Sequence, residues 1–384
     1  MNRIYLDYAA TTPLDARVRA QMERCQKLCG NPNSIHHEGQ RVRAEIDTAR
    51  RALAGVFGRD EQQVIFTASA TTANNLVIHG VVERFKKLYP HLLPEIIISP
   101  LEHASVYEPA RALERAGIIR LHLLPIHTDG TIEIEELKEL LSEKTALVSV
   151  QWVNNETGII HNVSEIIKAV SAFRTRTQSI YPYLHTDAVQ GIGHVPSKEI
   201  EGADFISLSA HKVYGPTGVG VLCMPTHVLM EPIIYGGGQE YGWWSGTESV
   251  DRIVGCAHAL MYALEEQKDA YTRLETLREY FIRRIQKYVP KIRICTSAWK
   301  HTSPHILSIH VCGIKRPDIA LDMQGIAVSS GAACSVGSVV PSRTLQALGI
   351  LDADAREMVR ISMGKQTTQK EIDACVEVLQ KIVL

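Results

Sequence analysis

No stretch of the chain approaches the apolar run needed to cross a bilayer, and the opening MNRIYLDYAATTPLD has no apolar core of the kind export signals carry. An excess of one charge is also missing. Lys and Arg number 41 against 42 Asp and Glu, a net charge of −1, which argues against nucleic acid or an anionic membrane as partner and leaves only a local docking patch open. The 8 cysteines form no CxxC pair and no Cys/His cluster at zinc-ligand spacing. The spacing of Cys25 and Cys29 fits either a metal pair or one face of a helix. A GxGxxG after the first strand is absent, which removes a dinucleotide-binding oxidoreductase, and no internal repeat or low-complexity tract is visible. These absences predict a cytoplasmic protein with reduced thiols.

What is present is alternation. Short apolar runs rich in β-formers, at 94–100, 145–153, 181–189 and 203–212, are separated by segments of helical periodicity. In one of these, Ile134, Leu137, Leu140 and Leu141 recur at helical spacing, and another starts at Ser164 as a plausible cap. Strand, helix, strand order predicts an α/β fold with a mostly parallel sheet covered on both faces. A Gly-rich segment, 233–249, interrupts the pattern, and a long amphipathic stretch follows. At 384 residues the chain exceeds what one core usually serves, so a large domain and a smaller C-terminal one are expected, divided near residue 258.

In parallel sheets ligands gather at the carboxyl ends of strands. Four apolar runs end in polar residues there: Glu102 and His103; Asn154 to Glu156; Asp187 and Gln190; Ser209, His211 and Lys212. Any one of them also suits a cap or a turn. Lys212 follows a strand and precedes a Gly-Pro turn, a position from which a lysine is either solvated or turned into a site. In a dehydrated pocket its amine can condense with an aldehyde, the chemistry of pyridoxal phosphate. That cofactor needs an acidic partner for its ring nitrogen, for which Asp187 is suited, and donors for its phosphate. The segment FTASATTANNL ends a strand and opens a helix, whose first amides favour a phosphate.

The motifs YLDYAATTPLD, GNPNSIHHEG, FTASATTANNL, LEHASV, VNNETG, HTDAVQ, SLSAHKVYGPTGVG, GGGQE, SGTES, SSGAACS and VRISMG run in this order along nearly the whole chain. In them the chain resembles the cysteine desulfurases of the NifS/IscS type, class V aminotransferase-group enzymes of the fold-type I pyridoxal phosphate class. The cysteine in its long loop before PSRTLQALG is similar to that of the group-one members.

The resemblance implies a large, mostly parallel sheet domain over 16–257, a smaller α+β domain over 258–384 carrying the Cys334 loop, and an N-terminal segment, 1–15, packed on the small domain. It implies that Lys212 holds pyridoxal 5'-phosphate as a Schiff base and then moves protons. Asp187 would pair with the ring nitrogen, Gln190 with the ring oxygen, and His103 would stack on the ring and be available as a base. Ala70, Thr71, Ser209 and His211 would hold the phosphate, with Thr247 reaching in from a second subunit of a homodimer. Asn155 and Arg360 would bind the carboxylate of L-cysteine, a task suited to a guanidinium fork.

Cys334, as thiolate, would take the substrate's sulfur as a persulfide and leave L-alanine. Its small-residue loop would then carry the sulfur to an acceptor: an iron–sulfur scaffold protein, a sulfur carrier for tRNA thiolation, or a small reductant. Whether Cys334 also ligates a transferred cluster stays open. Tyr241 and Trp244 stand where the family commonly has arginines, and Ala332 where serine is usual. A selenocysteine lyase or another class V aminotransferase or lyase would keep Lys212 and Asp187 without needing Cys334. A catalytically retired scaffold subunit would lack one of the lysine and the cysteine.

Overall fold

The computed structural model describes residues 3–299, 301–330 and 342–383. Cys334 and Ala332 lie outside the described residues.

After a short strand, β1 (Ile4–Tyr5), the chain lays down β2 (Val64–Thr67), β3 (Glu95–Ile98), β4 (Arg120–Leu123), β5 (Thr145–Ser149), β6 (Tyr183–Asp187), β7 (Phe205–Ser209) and β8 (Gly220–Cys223). These seven form one sheet in the order β2-β8-β7-β6-β5-β3-β4. Pairing is parallel from β7 through β6, β5 and β3 to β4, while β8 runs antiparallel to both its neighbours.

Successive residues of these strands face opposite sides, so near-continuous apolar runs imply two buried faces. The side chains divide accordingly. Phe66, Ile97, Val148, Leu184 and Ile206 enter one core with the helices His37–Val56, Val163–Thr177 and Val250–Glu265. Ile65, Ile96, Ile98, Leu147 and Phe205 enter the other with the helices Ala70–Leu88 and Ala104–Arg115.

Beyond the central sheet, β9 (Arg293–Ile294), β10 (Ile306–His310), β11 (Ile326–Ala327) and β12 (Met358–Ser362) follow. β10 lies between β12 and β9, antiparallel to both, and β1 pairs with β11 in parallel. A third core joins Leu6 to Leu277, Phe281, Leu307, Ile361 and Cys375. The long helical stretch is two helices, Val250–Glu265 and Gln267–Tyr288, with Glu266 as the joint, so residue 258 sits inside the first.

The helix expected to begin at a Ser164 cap is capped by Asn162, whose carboxamide oxygen accepts from Glu165 N at 3.3 Å. Ser164 lies inside the helix, and its hydroxyl donates to that same oxygen. Cys25 is buried in the helix Ala16–Gln26, while Cys29 lies beyond its end and is exposed. No group of three or more His, Cys, Asp or Glu suited to a metal ion occurs among the described residues.

Candidate active site

The carboxyl ends of β3, β5, β6 and β7 open onto one place, where the sheet delivers the polar residues that end its apolar runs. Asp187 terminates β6 and is buried. Its Oδ2 accepts from Asn74 Nδ2 at 2.9 Å and its Oδ1 from the Val189 backbone at 3.1 Å, so both oxygens are fixed. Asn74 Nδ2 also donates to Ser105 Oγ at 2.8 Å, and Ser105 Oγ lies 2.7 Å from His103 Nδ1. The Ser105 backbone donates to the same Nδ1, because His103 is the N-cap of the helix Ala104–Arg115. With that lone pair engaged, the proton of a neutral His103 resides on Nε2. Burial lowers the His103 pKa; the Asp187 charge acts against this, and Lys212 and Arg343 reinforce it.

Lys212 ends a short 3-10 turn that continues directly from β7. Its Nζ donates to the carbonyls of Ala9 and Ala10, each at 2.7 Å. Gln190 Nε2 donates to the same Ala9 carbonyl at 2.7 Å, and its Oε1 faces His305 Nε2 at 3.2 Å. The turn at 9–10 thus gathers Lys212 and Gln190, though it lies far away in sequence. Behind Gln190, His305 stacks on His194 with ring centroids 3.9 Å apart. Both imidazoles are driven toward the neutral form by burial, His194 to about 4.

Ser209 ends β7, and His211 packs against the N-terminal turn with Nδ1 3.1 Å from Thr11 Oγ1. Burial lowers His211 to about 4, with the neighbouring Lys212 charge adding to the effect. Ala70 and Thr71 are the first two residues of the helix Ala70–Leu88, capped by Ser69 in a reciprocal pair with Thr72. Gly220 of β8 packs so tightly there that a Cβ would lie 2.6 Å from Ala70 N. Only glycine lets the strand approach this helix start.

Arg360, on β12, is buried and reaches Asp7 Oδ1 at 2.9 Å and the Asn155 carbonyl at 2.7 Å. Its Nε has no hydrogen-bond partner. Asn155 thus meets Arg360 through its backbone, while its side-chain oxygen takes a long bond from Gln151 at 3.4 Å. Thr247 is exposed in the Gly-rich segment. Tyr241 rests with its ring 5.2 Å from the Arg50 guanidinium, which is itself buried in an ion pair with Glu240. Trp244 packs at the edge of the second core.

Both flanks of the Cys334 segment are tied to the walls of this site. Ser329 exchanges backbone hydrogen bonds with Arg360, at 2.7 and 3.2 Å. Ser342 donates to the Glu156 carboxylate, and Arg343 donates to the carbonyls of Pro100 and Glu102 while lying over the Tyr107 ring at 3.6 Å. Sequence reasoning did not single out Asn74, Ser105, His305, Asp7, Ala9 or Arg343. Asn74 and Asp7 fall inside quoted motifs, but their partners lie on other elements.

A sequence model of the class V aminotransferase family matches residues 4–375. The cysteine desulfurase IscS of Dictyoglomus turgidum is 36% identical to this chain, covering 99% of it and 94% of the relative. The cysteine desulfurase IscS of Proteus mirabilis is also 36% identical, over 99% and 92%. A solved structure described as a NifS-like protein superposes with a TM-score of 0.89 at 33% identity, covering 99% of each chain.

Proposed function

The chain belongs to the class V aminotransferase family as a cysteine desulfurase of the NifS/IscS type, and we propose that the residues gathered around Lys212 carry that reaction with pyridoxal 5'-phosphate and L-cysteine. The observation that carries this assignment is the convergence of Lys212 and Gln190 on the Ala9 carbonyl beside a carboxylate, Asp187, whose two oxygens are both held.

The residues fit the cofactor. The start of the helix Ala70–Leu88, kept open by Gly220, offers backbone amides to a phosphate, with Ser209 and His211 alongside. Thr247, exposed on the Gly-rich segment, would complete this binding from the second copy of a homodimer. Asp187 would face the ring nitrogen, Gln190 the ring oxygen, and His103 the ring face. When bound, the cofactor supplies an electron sink that stabilises negative charge at the substrate α-carbon.

The chain's own groups do the rest. Lys212 holds the aldehyde carbon until the substrate amine takes its place, and its freed amine, steadied by the Ala9 and Ala10 carbonyls, takes and returns the α-proton. Arg360 orients the substrate carboxylate with Asn155, its unpartnered Nε being a donor available for that purpose. His103, protonated on Nε2, serves as a hydrogen-bond donor and acid toward the reacting sulfur. Cys334 receives the sulfur as a persulfide, L-alanine leaves, and a sulfur acceptor protein or small thiol takes the sulfur onward.

The test is a purified-enzyme assay of alanine and sulfide released from L-cysteine with a thiol reductant, together with the visible absorbance of the bound cofactor. Lys212→Ala is expected to abolish both products and the lysine-bound absorbance. Cys334→Ala is expected to keep the absorbance and lose the products. Alanine formation unchanged in Cys334→Ala would overturn the persulfide route, and a protein that stays colourless and inactive with added cofactor would overturn the cofactor assignment.

A further inference from the structure

Away from the active site, a second thiol stands in a built chemical environment on the sheet of β9, β10 and β12. Cys312, two residues past β10, is exposed, and its Sγ lies 3.5 Å from His310 Nδ1. His310 is the last residue of β10, with its side chain almost wholly buried. On its far side Nε2 lies 2.9 Å from Glu357 Oε2, and that carboxylate is fixed in turn by the Gly313 backbone at 2.8 Å. Arg293 of β9 donates to His310 Nδ1 from Nε at 3.0 Å. Nδ1 is therefore the bare nitrogen, and Nε2 carries the proton donated to Glu357. Thiol, imidazole and carboxylate stand in the order of nucleophile, base and orienting group.

We propose that Cys312 is a thiol-exchange site for small-molecule disulfides, with His310 as its base and Glu357 as the group that orients the base. His310 Nδ1 takes the Cys312 proton, while Arg293 turns to Asp354, whose Oδ2 is 3.5 Å from its NH2. The thiolate attacks one sulfur of R–S–S–R. The reagent's S–S bond breaks as the bond to Cys312 forms, and the departing RS⁻ takes the proton from His310 as RSH. Cys312 ends oxidised as a mixed disulfide, and half of the reagent leaves reduced.

The charged and titratable groups around the pair are Arg293 and Cys295 from the β9 side, Asp354 and Glu357 from the segment before β12, and Lys315 beyond Gly313. Lys315 and Arg293 favour the thiolate, and the imidazolium lies between it and the two carboxylates. No metal-binding group of three such side chains occurs here among the described residues, which leaves thiol chemistry as the use of the cluster. The site stands apart from the desulfurase chemistry and does not depend on it.

The test treats full-length holoenzyme at pH 7 with 2-hydroxyethyl disulfide, a neutral probe, then quenches with acid and maps modified peptides by mass. The internal reference is the exposed Cys29. Cys312 is expected to react at least ~10-fold faster than Cys29, and its rate to level off at lower pH. His310→Asn is expected to bring Cys312 down to the Cys29 rate and profile. Glu357→Gln, which keeps the imidazole but weakens its orientation, is expected to slow Cys312 by ~3-fold or more. Equal rates for Cys312 and Cys29 in the wild type would overturn the proposal, as would an unchanged rate in folded His310→Asn. If His310→Asn fails to fold, an unchanged rate in Glu357→Gln overturns it instead.

Discussion

Asn74 Nδ2 is 2.9 Å from Asp187 Oδ2, so a carboxamide on one helix fixes the carboxylate at the end of a strand across the site. Asn74 is fully buried, and its nitrogen also reaches Ser105, which in turn bonds His103. One side chain therefore orients both the acid and the imidazole. Asn74→Leu keeps the volume and removes the donor. A hydrogen bond to a charged group contributes roughly 1.5–3 kcal/mol, so cofactor retention is expected to weaken by roughly 10–100-fold. Equilibrium dialysis against pyridoxal phosphate checks this, with the melting temperature as a control for folding.

Arg360→Lys keeps the charge but not the fork. Its expected effect is a KM for L-cysteine raised by roughly 10-fold or more with the bound-cofactor spectrum retained, because the guanidinium sits on the carboxylate side and not on the cofactor. Steady-state kinetics with an absorbance scan separates that outcome from loss of cofactor. A variant with unchanged KM would remove Arg360 from substrate binding.

The buried Arg50–Glu240 pair, with N–O distances of 2.7 and 2.8 Å, also carries Phe66 N on Glu240 Oε2 at 2.9 Å. Removing one partner of a buried pair leaves an uncompensated charge, so Glu240→Ala is expected to cost about 3–5 kcal/mol in urea unfolding. Tyr241→Arg tests the departure from the family pattern at that position. It would exchange a ring over Arg50 for a second cation, losing about 0.5–1 kcal/mol of cation–π attraction and adding repulsion. A Tyr241→Arg protein as stable as the parent would show that the ring contributes nothing there.

Acid sensitivity follows from buried imidazoles. His161, His185 and His194 are each lowered to about 4 by burial. Their unfolded value is about 6.5. Between those limits the unfolded chain binds more protons than the native one, so stability falls as pH drops below about 6.5, and this loss is complete near 4. Glu102 and Glu156, raised by burial, act in the opposite sense, because their neutral native forms lose stability as pH rises above the ordinary carboxylate value. The urea midpoint of His161→Gln is therefore expected to fall less than the parent's between pH 7 and pH 5. A parallel fall in both proteins would contradict the imidazole account.

Strand and helix existence was legible because the signal is local. Apolar runs bounded by turn residues became β3, β5, β6 and β7, and the polar residues ending them became the site. The same locality explains the error at Ser164. Asn162 and Ser164 both offer a capping oxygen, and the choice depends on where the chain enters the helix.

Sequence alone determined the α/β class, the lysine after β7, the acid ending β6 and the family, since each rests on residue type and order along the chain. Tertiary structure decided which groups meet. Asn74 reaches Asp187, the Ala9 carbonyl joins Lys212 to Gln190, Asp7 answers Arg360, and His310 finds Glu357 beside Cys312. Most of these pairs lie on different elements, and the fold brings them within hydrogen-bond range by burying apolar faces that carry no record of which polar partners they will align.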